Sequence, residues 1–452
     1  MNTKPNESTP ASEISRRNFL KTSAAATSGT LLAGLTVERA AFAAGDDTIK
    51  VALIGCGDRG AGAASQALRT QGPIKLWAMA DLFADRIEAK LAILGKGEQA
   101  AYDREAHRGF AAQIEVPPER QFAGFDAYRK AMDSGVDAVI LATPAHFRAM
   151  HYEYAVHLGK HVFMEKPLAV DAPGVRQILT ANEEAKKKNL KVAVGFMSRH
   201  SPRIQETVRR LRDGAIGPIN LMRAYWNMGL LRDTPPRPPE MPEMLYQLHN
   251  PYHFLWLSGD YFVDALIHYI DLCCWVKNAH PVTAQGQGGR QVLLPTQSGD
   301  TFDHHFVEFA FDDESRMFAE TRQISRCWNK GGAHAHGATG RADIVQGRIE
   351  GATPWRFSGA PTNPYQTEWG VLVDAIRRNQ PHNDVEFAAT STMTAIMGRM
   401  ASYSGQMIRW DDAFNSNVRL APDKYALDAT PPVVADRNGV YPVAVPGVTK
   451  TT

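Results

Sequence analysis

An apolar, β-branched run, TIKVALI (48–54), passes directly into the pattern Gly55-x-Gly57-x-x-Gly60 and then into a helical run of small residues. Strand, tight turn and helix in that order suit a dinucleotide. The first glycine makes the turn, the second lets backbone approach a pyrophosphate, and the third lets helix and strand pack closely. Amides at the helix start, where Asp58 and Arg59 stand, then face the phosphates. A second apolar run, IKLWAMAD, ends at Asp81, roughly 20 residues past Gly60, the spacing of an acid that accepts adenosine ribose hydroxyls. A carboxylate there repels a 2′-phosphate and favours NAD. Arg59 and Arg86 are close enough in sequence to soften that preference, which leaves NADP open. The competing reading of Asp81 is a helix N-cap after a strand.

Two further strands are expected at 136–144 (VDAVILATP) and 160–165 (KHVFME), with a helix between them that stops at Gly159. Alternating strands and helices build a doubly wound parallel sheet whose ligand lies at the carboxyl ends of the strands. Thr143, Pro144 and His146 follow one such end, and Glu165, Lys166 and Pro167 follow the next.

The amino terminus carries SRRNFLK (15–21), with Arg16 and Arg17 adjacent, then a mildly apolar stretch from Ser23 to Val37 and the small residues Ala41 and Ala43 around Phe42. That is the form of a twin-arginine export signal, cleaved after Ala43, so residues 1–43 stand outside the fold. The apolar stretch is shorter than the roughly 20 residues a membrane span needs. The formal net charge is +2 with both signs interspersed, which argues against a nucleic-acid surface or a polybasic membrane patch. Cys56, Cys273 and Cys274 read as buried thiols, and no disulfide framework is expected among four cysteines.

With IGCGDRG, LATP and MEKPLA in one order, the chain resembles the Gfo/Idh/MocA family of NAD(P)-dependent oxidoreductases, and its exported branch in particular, related to glucose-fructose oxidoreductase and glycoside hydrolase family 109. The resemblance implies a Rossmann domain (44–168) and a C-terminal α/β domain (169–421) with an open, mostly antiparallel sheet, here followed by an extended tail (422–452). It places Lys166 of the EKP motif beside the nicotinamide and the substrate hydroxyl. GDYFVDALIHYIDLCCWV (259–276) resembles the family's second signature, an Asp and a His four apart on one helix, matched by Asp264 and His268. Spacing of i to i+4 puts both on one helical face. GFMSRHSP (195–202) resembles the segment that brings an arginine near the cofactor, which makes Arg199 a candidate.

Oxidising a secondary alcohol requires a base for the hydroxyl proton. His268 is assigned that role, Asp264 orients it or binds a second hydroxyl, and Lys166 stabilises the developing alkoxide. The bland alternatives are a core histidine, a helix-start acid and a solvated loop lysine. His304 and His305 stand on a strand, facing opposite ways. His334 and His336 stand in what reads as a glycine-rich loop, GGAHAHGATG; without an identifiable third ligand no metal is expected. His305, His336 and Tyr252, the last in a proline-rich loop from 226 to 257, are candidate sugar-pocket residues. The leading expectation is a periplasmic oxidoreductase that carries its NAD through export in the folded state and acts on a sugar, glycoside or cyclitol hydroxyl. The alternatives are an NAD-dependent glycoside hydrolase and a non-catalytic sugar- or cofactor-binding protein. A homodimer or homotetramer is expected.

Overall fold

The alternation of residues along the first strand already divides the N-terminal core in two. In the computed structural model, which describes residues 47–97, 109–230 and 234–452, Ala52 and Ile54 of β1 (Ile49–Ile54) enter one hydrophobic cluster and Val51 and Leu53 enter another. A strand buried on both faces belongs in a parallel sheet covered by helices on either side. The chain follows that logic through α1 (Asp58–Leu68), β2 (Ile74–Asp81), α2 (Ala84–Lys96), β3 (Gln121–Ala123), α3 (Ala127–Asp133), β4 (Ala138–Leu141), α4 (Arg148–His157), β5 (His161–Met164), α5 (Ala172–Lys187) and β6 (Val192–Val194). Its six strands are all parallel in the order β3-β2-β1-β4-β5-β6. The order reverses between β1 and β4, where such sheets place a ligand.

After α6 (Pro202–Arg212), β7 (Ile219–Met228), α7 (Glu243–His249), α8 (Leu255–Ser258), α9 (Tyr261–Asp264) and α10 (Ile267–Lys277), a second sheet is completed by β8 (Thr283–Gly289), β9 (His304–Ala310), β10 (Arg316–Gln323), β11 (Lys330–Gly337), β12 (Gly340–Asp343), β13 (Arg348–Gly351) and β14 (Trp355–Arg356). Helices α11 (Pro364–Arg377) and α12 (Val385–Ser404), the short edge strand β15 (Ile408–Arg409) and α13 (Trp410–Asn415) close the domain. The nine strands run β14-β13-β12-β11-β7-β10-β9-β8-β15, antiparallel except for the β7–β10 pair. The strict alternation of burial along β10 shows one packed face and one open face. Residues 416–452 run as an extended tail without helix or strand.

Three local expectations need correction. The stretch around His334 and His336 is strand β11, not a loop: its small residues pair with β7 across a register that includes Gly332 opposite Tyr225, and period-2 alternation puts both histidines on one face. The segment 226–257 is not irregular throughout, because its proline cluster ends at Pro242, which caps α7. Asp264 and His268 stand on two successive helices rather than one. The ladder slips at the junction, where the Leu266 amide donates to Tyr261 O at 3.4 Å while Ala265 and Leu266 keep right-handed helical angles.

Candidate active site

The turn after β1 has the shape its glycines suggest. Gly55 adopts φ +97° and passes so close to β4 that an added Cβ would lie 2.6 Å from the carbonyl carbon of Ala142 and the amide nitrogen of Thr143. An added Cβ on Gly60 would sit 2.0 Å from Gly55 O, whereas one on Gly57 would meet nothing within 4 Å. Gly57 therefore borders open space at the start of α1, whose first amides have no side-chain cap. A helix start without a side-chain cap, beside a residue with no side chain, fits a pyrophosphate.

Asp81 ends β2 and is almost buried. Its Oδ2 accepts the Cys56 amide at 2.7 Å and its Oδ1 the Phe83 amide at 3.0 Å. Burial raises its pKa above the usual carboxylate value, against these bonds and the Arg86 cation. The carboxylate ties the glycine turn to the end of β2, with Arg86 Nη1 at 4.0 Å. Asp58 pairs with Lys90 at 2.7 Å. Arg59 turns to Glu165, Nε to Oε1 at 2.5 Å, with Glu368 of α11 at 3.7 Å from its Nη2. Burial raises the Glu368 carboxyl far above its ordinary pKa.

At the end of β4, Thr143 Oγ1 lies 3.3 Å from His151 Nδ1, and Thr143 O accepts a bond from Arg148 at 2.6 Å. The same guanidinium donates to Pro167 O, so a fully buried arginine joins the turns after β4 and β5. Burial brings it down to about 10. Pro144 starts the turn that carries His146, whose Nε2 is 2.7 Å from the Tyr425 hydroxyl and whose ring meets Trp256 edge-on at 5.1 Å. Burial takes His146 down to about 4.

Lys166, Asp264 and His268 come from three different elements. Lys166 Nζ donates to Asp264 O at 2.7 Å and lies 3.7 Å from its Oδ1. The His268 ring stacks on Trp226 at 6.0 Å and meets Phe196 edge-on at 6.3 Å. Its buried Nδ1 makes no hydrogen bond among the described residues. Burial first, then the nearby Lys166 and Arg59 cations, push its pKa well below the ordinary histidine value, so the imidazole is neutral. A buried ring nitrogen left without a hydrogen-bond partner carries a desolvation penalty that a bound polar group would remove.

The other candidates lie elsewhere. Arg199 forks onto buried Asp271 with bonds of 2.8 to 3.2 Å and lies 3.7 Å over Phe387. His305 is a core residue, with Nε2 3.1 Å from Asp260 and Nδ1 3.0 Å from Ser402. His336 stands on β11 opposite Leu221, with His334 two residues before it and 3.8 Å from Asp343; no group of three metal-ligating residues occurs among the described residues. Tyr252 is exposed, within electrostatic reach of Arg148. Sequence reasoning missed Arg148, Trp226, Phe196 and Glu368. The lone arginine in the otherwise largely apolar HFRAM after the β4 turn is a weak signal for Arg148; Glu368, some 300 residues from Arg59, gives none.

Residues 49–196, which contain this sheet and its turns, match the Gfo/Idh/MocA oxidoreductase family, described by its NAD-binding Rossmann fold. The chain carries a Gfo/Idh/MocA-family domain. Residues 13–33 match the twin-arginine translocation signal sequence, which routes the protein to that export pathway; the expected cleavage point after Ala43 lies outside the described residues. Among curated relatives, the chain is 29% identical to scyllo-inositol 2-dehydrogenase (NAD(+)) of Bacillus subtilis over 36% of this chain and 42% of that protein. It is 29% identical to inositol 2-dehydrogenase 1 of Saccharopolyspora erythraea over 52% of this chain and 67% of that one. The chain thus spans less than half of the first relative's length. Among solved structures, scyllo-inositol dehydrogenase from Lactobacillus casei with bound NAD(H) and scyllo-inositol superposes with TM-score 0.59 at 20% identity, over 80% of this chain and 99% of that one. The aldose-aldose oxidoreductase from Caulobacter crescentus superposes with TM-score 0.60 at 17% identity, over 80% and 99%. These likenesses establish the two-domain fold.

Proposed function

We propose that this protein is a periplasmic, NAD-dependent dehydrogenase of a secondary hydroxyl on a cyclitol or related sugar, exported with its cofactor already bound. The observation that carries the reading is the unpartnered Nδ1 of neutral His268, within electrostatic reach of the Lys166 ammonium that Asp264 holds. The names of the relatives, inositol dehydrogenases among them, support a polyhydroxylated ring as substrate.

In this reading the Gly55–Gly60 turn and the start of α1 hold the pyrophosphate, and Asp81 binds the adenosine ribose, with NADP disfavoured by its charge. When bound, NAD supplies the acceptor for the hydride leaving the carbinol carbon. His268 Nδ1 takes the hydroxyl proton, because the imidazole is neutral and this nitrogen has no other hydrogen-bond partner among the described residues. Lys166 Nζ stabilises the oxygen as negative charge develops. Asp264 fixes the ammonium through its backbone carbonyl and presents its carboxylate to a neighbouring hydroxyl. Trp226 and Phe196 keep the imidazole in place and exclude water.

The test starts with mass spectrometry of the dinucleotide released on denaturing the natively exported protein, followed by assays with inositols, aldoses and glycosides. Stoichiometric NAD with oxidation of a ring hydroxyl, abolished in His268→Ala, is the expected result. Release of free sugar from a glycoside without net redox change would instead favour redox-assisted hydrolysis. A protein that neither contains nor binds NAD or NADP would leave only a sugar-binding role.

A further inference from the structure

The edge of the cofactor groove beyond Asp81 is not left open. Phe83, two residues past the ribose carboxylate, stacks on His249 with ring centroids 4.2 Å apart and planes 12° from parallel. Arg86 lies between the two parts of the chain. Its guanidinium is 4.6 Å from the Phe83 ring, Nη2 is 3.4 Å from His249 Nδ1, and Nη1 is 4.0 Å from Asp81. Because Asp81 marks where the adenosine ribose binds, residues packed against the next turn of chain lie over the adenosine end of the groove. His249 belongs to α7, an element of the second domain, so it reaches the groove across the domain boundary.

Helix α7 is itself held down by the C-terminal tail. Gln247 donates to Val433 O at 2.7 Å, and the Tyr441 hydroxyl donates to Glu243. The tail is anchored to the Rossmann side as well: the Leu420 amide donates to Asp171 at 2.8 Å, and Tyr425 meets His146 at 2.7 Å. One buried apolar cluster joins Phe147, Tyr246, Trp256 and Tyr441, with Leu82 and Phe83 packed at its margin.

We propose that Phe83, Arg86 and His249 form a clamp over the adenosine end of the dinucleotide site, and that the C-terminal tail straps this clamp shut so that the cofactor leaves slowly. This rests on the NAD-binding reading above and adds the device that keeps the cofactor in place outside the cytoplasm. Release then requires the α7 segment to lift, and restraints on the closed state act mainly on the dissociation rate.

The experiment measures NADH dissociation from the full mature chain by fluorescence after adding excess NAD, in the parent, in His249→Ala, and in His249→Ala combined with Tyr441→Phe. The stack and one strap bond together should raise the dissociation rate about tenfold, with unchanged far-ultraviolet circular dichroism and a smaller change in His249→Ala alone. A His249→Phe variant, which keeps a ring on Phe83, should stay within about threefold of the parent. Rates equal to the parent in both alanine variants would overturn the clamp while leaving the NAD site intact. A parent that binds no NADH would overturn the clamp together with the dehydrogenase reading.

Discussion

Lys166 Nζ is held 2.7 Å from the backbone carbonyl of Asp264 and 3.7 Å from its carboxylate, across the boundary between the two domains. The ammonium is thus positioned by the segment that also introduces His268, and its charge is one cause of that histidine's depressed pKa. Lys166→Met should lower kcat/KM by about a thousandfold while dinucleotide content stays near the parent level. It should also raise the His268 pKa towards its ordinary value, visible by NMR titration. Retained turnover would remove Lys166 from the chemistry.

The glycines of the turn after β1 should separate fold from binding. Gly60→Ala forces a Cβ to 2.0 Å from Gly55 O, a backbone contact that cannot yield cheaply, and should cost about 3 kcal/mol of stability. Gly57→Ala meets open space, so its melting temperature should match the parent while NADH affinity falls about tenfold or more. Thermal melts and fluorescence titrations on the two variants check both arms.

His305 is expected to matter for folding alone. It is buried and bonded to Asp260, which also accepts from the Phe262 and Phe302 amides and the Tyr403 hydroxyl. His305→Ala should destabilise by about 3 kcal/mol by leaving part of that buried network unpaired. KM for the substrate should not change in the folded fraction. A selective rise in KM at constant melting temperature would instead place His305 in the pocket.

Stability should fall on mild acidification. Burial lowers His146, His161 and His253 to about 4 and His151 to about 3. Below about pH 6.5 the unfolded chain protonates these rings while the folded chain does not, so stability present above 6.5 is lost as pH falls towards 4. Each ring contributes up to about 1.4 kcal/mol per pH unit in that window. Asp300, raised to about 6, acts oppositely, because its stabilising share is lost as pH rises to that value. Burial raises Asp81 and Glu368 in the same sense as Asp300, and lowers His268 in the same sense as the other rings; five rings outnumber three carboxyls, and denaturant melts between pH 7 and 4.5 should show a decline. A flat profile would contradict the burial of these rings as neutral groups.

The sequence by itself determined what depends on neighbours along the chain. Gly55, Gly57 and Gly60 announce the turn after β1 because each acts through local backbone shape, and strands β1, β2, β4 and β5 follow from short apolar runs. The paired Arg16 and Arg17 announce export for the same reason, since the signal is read as a linear segment. Tertiary structure decided what depends on partners far away in sequence. It placed His305 in the core through Asp260 and Ser402, turned Arg59 towards Glu165 and Glu368, made β11 a strand by pairing it with β7, and brought His249 onto Phe83. A side chain's neighbours across a fold set its burial, charge state and hydrogen bonds, and those contacts are made by packing that no local pattern encodes.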